Sequence, residues 1–435
     1  MFAYGALTLV LVAFLRELHV SQTRIGLFMT LTLVGDVLIS FVLAIFADSV
    51  GRRAVLRMGA VLMIVSGTTF FLSQNYWFLL MAAIFGILSP NGGETGPFRA
   101  IEESTLAHLT DQRARSDVYA WYNVSGTIGS AFGLVICGWA IHYLHTNLGW
   151  QLIDGYRAIF CGYALVGLAK VFLVSGLSDS VELSGPEKAG PQSRGAGNTA
   201  ESTPLLGQVT PEEELNSVPI KSGKGPMLPT ISQESVRVIS TLCLLFALDS
   251  FATGLAPLAW VTFFFRSRYG LEEGELGSIF FVTRIIGAIA MILASSLAKR
   301  HGNIKTMVFT HLPSALFLAL IPVPNDVHFS VLFLILRSGL QCMSIAPRSA
   351  FVAAIVLPQE RTAMMGLVNV VRTTAQSIGP FVTGMLADGG LFWTSFVCAG
   401  SLRACYDIGL LILFKNIEQE RTKEAESVDE ERIVD

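Results

Sequence analysis

The sequence predicts an all-α membrane protein of twelve transmembrane helices, arranged as two duplicated six-helix halves. Three observations carry this reading: an apolar excess too large for a water-soluble chain, twelve apolar stretches of about bilayer length, and landmarks that recur at a shift of roughly 250 residues. Of 435 residues, 52% are apolar, 14% are charged and 40 are glycine. A soluble protein has about 25% charged residues and roughly 45–50% apolar residues with glycine included. Too little polar surface remains to coat a soluble domain, and a disordered chain would lack so many Leu, Ile, Val and Phe. The net charge of −3 implies no nucleic-acid partner. Six cysteines (Cys137, Cys161, Cys243, Cys342, Cys398 and Cys405) are scattered through apolar runs with no CxxC pair, which reads as buried filler and supports neither a disulfide framework nor a metal site.

A bilayer core of ~30 Å asks for about 20 apolar residues per helix. The first six spans fall at 2–15, 25–47, 55–73, 77–100, 118–142 and 157–178, and the second six at 237–264, 276–298, 305–323, 328–350, 362–387 and 391–415. Span 1 is short: at 1.5 Å per residue its stretch reaches only ~21 Å, so helix 1 is expected to begin upstream of Met1. Span 4 is interrupted by Pro90-Asn91-Gly92-Gly93-Glu94-Thr95-Gly96-Pro97, and span 10 is broken at the corresponding place by Ser344-Ile345-Ala346-Pro347-Arg348. Tyr119, Trp121 and Tyr122 open span 5 and read as an interfacial belt. Asn123 in the same span reads as a helix-to-helix hydrogen bond, and its Asn123-Val124-Ser125 sequon lies inside the membrane, where no glycan is expected.

Lys and Arg in short loops set the orientation. One set of loops carries nine such residues (Arg52, Arg53, Arg57, Arg113, Arg115, Lys299, Arg300, Lys305 and Arg361), the opposite set five (Arg16, Arg24, Arg157, Arg266 and Arg268). The first set is expected to be cytoplasmic, which places both termini in the cytoplasm. The chain divides into a first half (1–178), a linker (179–235), a second half (236–415) and a cytoplasmic tail (416–435). The linker holds seven of sixteen prolines with Gly, Ser and Glu and no apolar periodicity, the composition of a disordered connection. Within it, Glu201-Ser202-Thr203-Pro204-Leu205-Leu206 resembles an acidic dileucine signal read by sorting adaptors, which brings plasma or vacuolar membrane into view.

The halves share landmarks. Gly26 and Gly51 stand 25 apart, as do Gly277 and Gly302. Pro97 and Ala100 recur as Pro347 and Ala350, and Arg115, Asn123 and Gly133 recur with unchanged spacing as Arg361, Asn369 and Gly379. Three matches in one order argue for duplication, the architecture of many secondary transporters, whose substrate sits near mid-membrane between the repeats.

The run Ala44-Ile45-Phe46-Ala47-Asp48-Ser49-Val50-Gly51-Arg52-Arg53 resembles the signature G-x-x-x-D-x-x-G-R-[RK] of the major facilitator superfamily, with Ala44 in place of the leading Gly. Gly126, Gly129 and Gly133 in span 5, and Gly379-Pro380 with Gly384 in span 11, resemble its Gly-rich helix faces. The resemblance implies that Asp48, Gly51, Arg52 and Arg53 form a cytoplasmic gate latch reaching Arg361 and Thr362, and that spans 1, 4, 7 and 10 line the cavity. Physics supports the latch: an acid at the C-terminal end of a helix is disfavoured by about 0.3–1 kcal/mol and needs cations, and Gly51 suits a turn with φ > 0. Glu102 or Glu103 is expected to complete this network. The second copy, Ala298-Lys299-Arg300-His301-Gly302, lacks the acid, so any latch is asymmetric.

Charges within a bilayer cost about 2.5–3.5 kcal/mol each at helix centre and are site candidates by default. Glu94, Asp249 and Asp36 are the proton or substrate candidates, each weighed against an acid satisfied by a nearby arginine. Arg284 and Arg372 either hold an anionic substrate or pair with Asp249. Arg403 and Asp407, four apart, are expected to pair with each other. Arg99 and Arg348 are expected to snorkel. No G-x-x-x-x-G-K-[ST], HExxH or GxSxG motif is present, which argues against ATP hydrolysis and catalysis. The P-E-S-P-R pattern of sugar porters is also absent after span 6. The resulting expectation is a monomeric, proton-coupled antiporter exporting a small organic solute by alternating access, with no cofactor beyond a proton gradient. A transporter-like receptor that binds without moving its solute, and a symporter or uniporter for uptake, are the alternatives.

Overall fold

The computed structural model describes residues 1–86, 88, 97–110, 115–177, 233–301, 303–345, 347–348 and 361–434. Glu94, linker residues 179–232 with Glu201, Leu205 and Leu206, and the side chains of Asp48, Arg115 and Arg361 lie outside the described residues.

Helices overlie all the expected spans. The first half contains α1 (Phe2–Glu17), α2 (Gln22–Val50), α3 (Arg52–Leu72), α4 (Tyr76–Gly86), α5 (Pro97–Leu109), α6 (Arg115–Thr146) and α7 (Leu152–Ser175). The second contains α8 (Gln233–Leu255), α9 (Leu258–Tyr269), α10 (Glu273–His301), α11 (Asn303–Leu320), α12 (Val327–Met343), α13 (Arg361–Asp388) and α14 (Phe392–Val434). Among the described residues, seven stretches are long and apolar enough to cross a bilayer, one of them, Ser240–Tyr269, running through both α8 and α9.

Three boundaries depart from expectation, the first of them for a local reason. Span 7 is two helices, because Pro257 has no amide proton to donate and disfavours helical backbone at Ala256, so it becomes the N-cap of α9 instead. The described helix of span 4 resumes at Pro97 and continues to Leu109, beyond the expected end. α14 runs through the predicted tail to Val434, 43 residues in all, far longer than a bilayer requires. Gly51, at φ 93°, supplies the turn between α2 and α3 as the sequence led one to expect.

Packing repeats between the halves. α1 packs on α6 and α7, and α8 correspondingly on α13 and α14; α3 pairs with α7 as α11 does with α14; α2 meets α4 as α10 meets α12. The halves join through α2 against α13, α6 against α10, and α1 against α9. The recurring glycines are the contact points. A Cβ on Gly133 would overlap the Phe2 carbonyl of α1, and one on Gly379 the backbone of Gly254 in α8. Gly26 meets Pro380 and Gly384, while Gly277 meets Leu134 and Gly138, so the two inter-half seams are built alike. In lipid, which is as apolar as leucine, such close backbone approach rather than hydrophobic exclusion drives helix association.

The apolar core lies toward the end of the bundle where α1 stops and α2 begins. Phe70 stacks on Phe160 at 4.6 Å, Phe14 meets Phe160 at 5.0 Å, Phe264 meets Phe396 at 4.6 Å and Phe265 meets Phe280 at 6.3 Å. Conversely Phe41, Trp77, Phe172, Leu173 and Phe309 are exposed, as expected of side chains whose solvent is lipid.

Candidate functional site

A charged cluster occupies the interior of the second half. Asp249 (α8), His311 (α11), Arg403 and Asp407 (α14) are each at most 2% exposed. Arg348, just past α12, donates from Nη1 to Asp249 Oδ2 at 2.8 Å. Asp249 Oδ1 also lies 3.7 Å from His311 Nε2 and 3.8 Å from Arg403 Nε. His311 Nδ1 is 2.9 Å from both carboxylate oxygens of Asp407, so its N–H is directed at that acid. Arg403 Nη2 donates to Thr253 Oγ1 at 2.8 Å, and the Arg348 guanidinium lies 5.6 Å from the centre of the Tyr406 ring. Two acids, two arginines and a histidine thus offset one another's charge, the condition for burying charge at tolerable cost, although Asp249 Oδ1, Arg348 Nε and Arg403 Nε and Nη1 have no hydrogen-bond partner among the described residues.

This geometry corrects several expectations. Asp407 takes His311, not Arg403, because the helix-helix approach of α11 and α14 brings the imidazole closer than an i, i+4 neighbour on α14. Arg348 does not snorkel: Asp249 holds it inside. Asp249 pairs with neither Arg284 nor Arg372; Arg372 Nε instead reaches Ser250 Oγ at 3.4 Å with its guanidinium over Phe246. Arg284 is half-buried on α10.

In the first half, Asp36 of α2 is 6% exposed, and its Oδ1 has no hydrogen-bond partner among the described residues. Tyr4 and Tyr163 lie within its electrostatic reach, their rings edge to face at 6.1 Å, and the Tyr163 hydroxyl donates to the Gly86 carbonyl at 3.4 Å. The contrast with Asp249 is sharp: one acid is ringed by cations, the other has no ion pair among the described residues.

A second network ties α5, α6 and α7. Glu102 accepts from Lys170 at 2.8 Å and from the Tyr122 hydroxyl at 2.7 Å, while Arg99 pairs with Glu103 at 2.8 Å and donates to Asn123 Oδ1 at 2.5 Å. Asn123 is a helix-to-helix link, as expected. Tyr119 and Tyr122 are not a belt, since both hydroxyls are engaged by Glu103 and Glu102; Trp121 alone of the three faces outward. Nor do these glutamates complete the Arg52 and Arg53 network: they sit closer to Lys170 and Arg99, and Arg53 Nη2 donates to the Ser175 carbonyl at 3.2 Å.

The halves are clasped at the α1 to α2 end. Arg266 (α9) pairs with Glu273 (α10) at 2.9 Å, reaches Glu17 (α1) at 3.7 Å and donates to the hydroxyl of Tyr156 (α7), which itself donates to Glu273 Oε1 at 2.6 Å. His142 lies 2.7 Å from Glu272. Asp388, closing α13, accepts from the amides of Gln22 and Thr23 at 2.9 and 2.7 Å and from the Thr23 hydroxyl at 2.6 Å. Deeper in, Thr262 donates to the Thr8 carbonyl at 3.3 Å. The slight burial of Asp388 works against its charge, but these hydrogen bonds outweigh it and hold the carboxyl below its usual range. Sequence reasoning missed His311, although the rule that flagged acids and arginines inside spans applies equally to a histidine. It missed Glu17, Tyr156, Glu273 and Asp388 because charge near a span end is ordinary until a partner is seen.

The chain matches the family model described as Major Facilitator Superfamily over residues 1–380 and 242–432. It is 35% identical over 433 residues to an uncharacterized membrane protein of Saccharomyces cerevisiae, covering 97% of this chain and 93% of the relative. A shorter match, 30% identical over 133 residues, is to an MFS-type efflux pump of Mycolicibacterium smegmatis, covering 29% of this chain and 31% of that protein. Among solved structures, a D-xylose-proton symporter superposes with TM-score 0.66 at 13% identity, over 95% of this chain and 94% of that one.

Proposed function

Because the chain belongs to the major facilitator superfamily, and is thus a multi-pass membrane transporter rather than an enzyme, we propose that it exports a small organic solute by proton-coupled antiport through alternating access. The observation that carries the coupling is Asp36, an acid buried deep in α2 with no ion pair among the described residues. Its proton occupancy can change without breaking a fixed ion pair, whereas every change at Asp249 disturbs Arg348, Arg403 and His311. Glu94 is its partner in this role. Likeness to an efflux pump and to a proton symporter supports the direction and the coupling ion respectively.

In this reading the end clasped by Arg266, Glu273, Tyr156 and Asp388 is extracytoplasmic, since its loops carry the smaller share of Lys and Arg. Both termini are cytoplasmic, and Asp48, Gly51, Arg52 and Arg53 latch the opposite gate. The protein works as a monomer without cofactor in the plasma or vacuolar membrane, with Glu201, Leu205 and Leu206 read by a sorting adaptor. An unchanged location after deletion of Leu205 and Leu206 from a fluorescent fusion removes that last element.

The test is flux of a solute panel in proteoliposomes containing the full chain. A pH gradient is expected to drive accumulation in the wild type, and Asp36→Asn to abolish it while solute exchange persists. Gradient-driven transport surviving in both Asp36→Asn and Glu94→Gln removes the proton-carrier assignment. Saturable binding without any flux favours the receptor reading instead.

A further inference from the structure

The two ring nitrogens of His311 face unlike groups. Nδ1 lies 2.9 Å from both oxygens of Asp407, which are acceptors, so this nitrogen carries a proton. Nε2 lies 3.4 Å from Arg348 Nη2, a donor, and 3.7 Å from Asp249 Oδ1. A nitrogen turned to a guanidinium N–H offers its lone pair, so the cluster holds a neutral imidazole bridging Asp407 and Arg348. On the same side, Asp249 Oδ1 has no hydrogen-bond partner among the described residues.

Among the described residues, the charged or titratable groups that face this imidazole are Asp407, Arg403 and Tyr406 of α14, Asp249 of α8 and Arg348 past α12; the Tyr406 ring stands edge-on at 5.9 Å. Arg372 of α13, bonded to Ser250, lies within electrostatic reach of Asp249. α10 and α12 bond α11 through neutral atoms: Thr306 donates to the Leu297 carbonyl at 3.4 Å and Ser314 to the Arg337 carbonyl at 3.1 Å. Arg348 is the open member of the cluster, its side chain 16% exposed against at most 3% for Asp249, His311, Arg403 and Asp407. The approach from outside is therefore on the Nε2 side. Arg348 also sits where span 10 is interrupted after α12, its amide donating to the Ser344 carbonyl at 3.1 Å. Interrupted spans form the ion and substrate sites of secondary transporters.

We propose that His311 is a proton-binding residue of the transport cycle: Nε2 takes up a proton that enters past Arg348, the new N–H turns to Asp249 Oδ1, and Arg348 leaves the cluster. This rests on the transporter reading above and adds to Asp36 a second proton site, in the opposite half. Protonation turns the acceptor facing Arg348 into a donor and sets a second positive charge beside the guanidinium, so that contact becomes repulsive. Asp249 keeps counter-charge, since the imidazolium and Arg403 stand 3.7 and 3.8 Å from its Oδ1. Asp407, already on Nδ1, steadies the imidazolium from the other side.

The experiment follows, between about pH 5 and 8, the reaction of Ser344→Cys with a small methanethiosulfonate in the full, detergent-solubilised chain lacking its six native cysteines. Each rate is divided by that of glutathione at the same pH. Ser344 is 1% exposed and its carbonyl holds the Arg348 amide, so its reactivity reads the departure of that arginine. The normalised rate is expected to rise at least about fivefold on acidification. It is expected to stay low and flat in His311→Asn, which keeps a donor for Asp407 but takes up no proton, and to be high and flat in Arg348→Gln. A flat profile with His311 in place overturns the proposal, as does a rise that survives in His311→Asn or in Arg348→Gln. Should His311→Asn fail to fold, His311→Gln takes its place with the same expectation. Flux in proteoliposomes separates the two levels: a His311-dependent rise without any solute transport leaves the proton site standing and removes the transporter reading, while gradient-driven transport undiminished by His311→Asn does the reverse.

Discussion

Asp249 and Arg348 meet at 2.8 Å, 99 residues apart in the chain, and their contact joins α8 to the segment following α12 inside the second half. It is the shortest link in a buried ring that includes His311, Arg403 and Asp407, so the effects of removing its members are expected to depend on one another.

Asp249→Asn leaves two arginines facing a neutral amide, and is expected to destabilise by about 3–5 kcal/mol, the cost of an uncompensated buried charge. Adding Arg348→Gln is expected to recover at least half of that loss. Thermal midpoints of the single and double variants in detergent check this, and strict additivity contradicts the pairing.

Glu273, with its side chain 10% exposed, receives both Arg266 and Tyr156. Glu273→Gln removes the charge that pairs with Arg266 of its own half and that receives the Tyr156 hydroxyl of the first half. A weakening of about 1–2 kcal/mol corresponds to a roughly 5–30-fold rise in the population opened at that end. Labelling of Thr8→Cys by a membrane-impermeant maleimide, in a background lacking the six native cysteines, reads that population. An unchanged labelling rate rules out a clasping role.

Asp388 has a carboxyl whose pKa is lower in the folded state than in the unfolded chain. The folded state therefore binds fewer protons there, and the stabilisation is fully present above the unfolded value of about 3.9. It is lost as pH falls through the lower folded value. Asp388→Asn is accordingly expected to lower the unfolding midpoint at pH 6 and to approach the wild type as both are taken below pH 4. Because the residue is exposed, the difference is small, and a gap that widens in acid contradicts the assignment.

Gly138 and Gly162 provide a matched pair. A Cβ on Gly138 would overlap the Glu273 carbonyl and lie 3.1 Å from Gly277 Cα, whereas one on Gly162 meets nothing within 4 Å. Gly138→Ala is expected to destabilise by about 1–3 kcal/mol through overpacking of the inter-half seam. Gly162→Ala is expected to be neutral or to stabilise by up to about 1 kcal/mol through helix propensity. Equal effects of the two substitutions refute the close-packed seam.

The sequence alone was enough for the all-helical membrane fold and for the glycines that recur between its halves. Bilayer thickness imposes one length on every span, so apolar runs report helices directly, and a duplicated architecture preserves the glycines where backbones touch. Gly26, Gly133, Gly277 and Gly379 were legible as repeats before their contacts were seen. Even the break at Pro257 follows from local chemistry, although the expected continuous span passed over it. Pairing of charges was another matter. Arg403 and Asp407 look like partners on one helix, yet Asp407 is bound to His311, 96 residues away, and Asp249 to Arg348. Those choices depend on the rotation and depth of helices that are distant in sequence, which no local pattern encodes. Tertiary structure alone distinguishes Asp36, without an ion pair among the described residues, from Asp249, bound on three sides, because a carboxylate's role in a membrane is set by which cations the packing brings within about 4 Å of it.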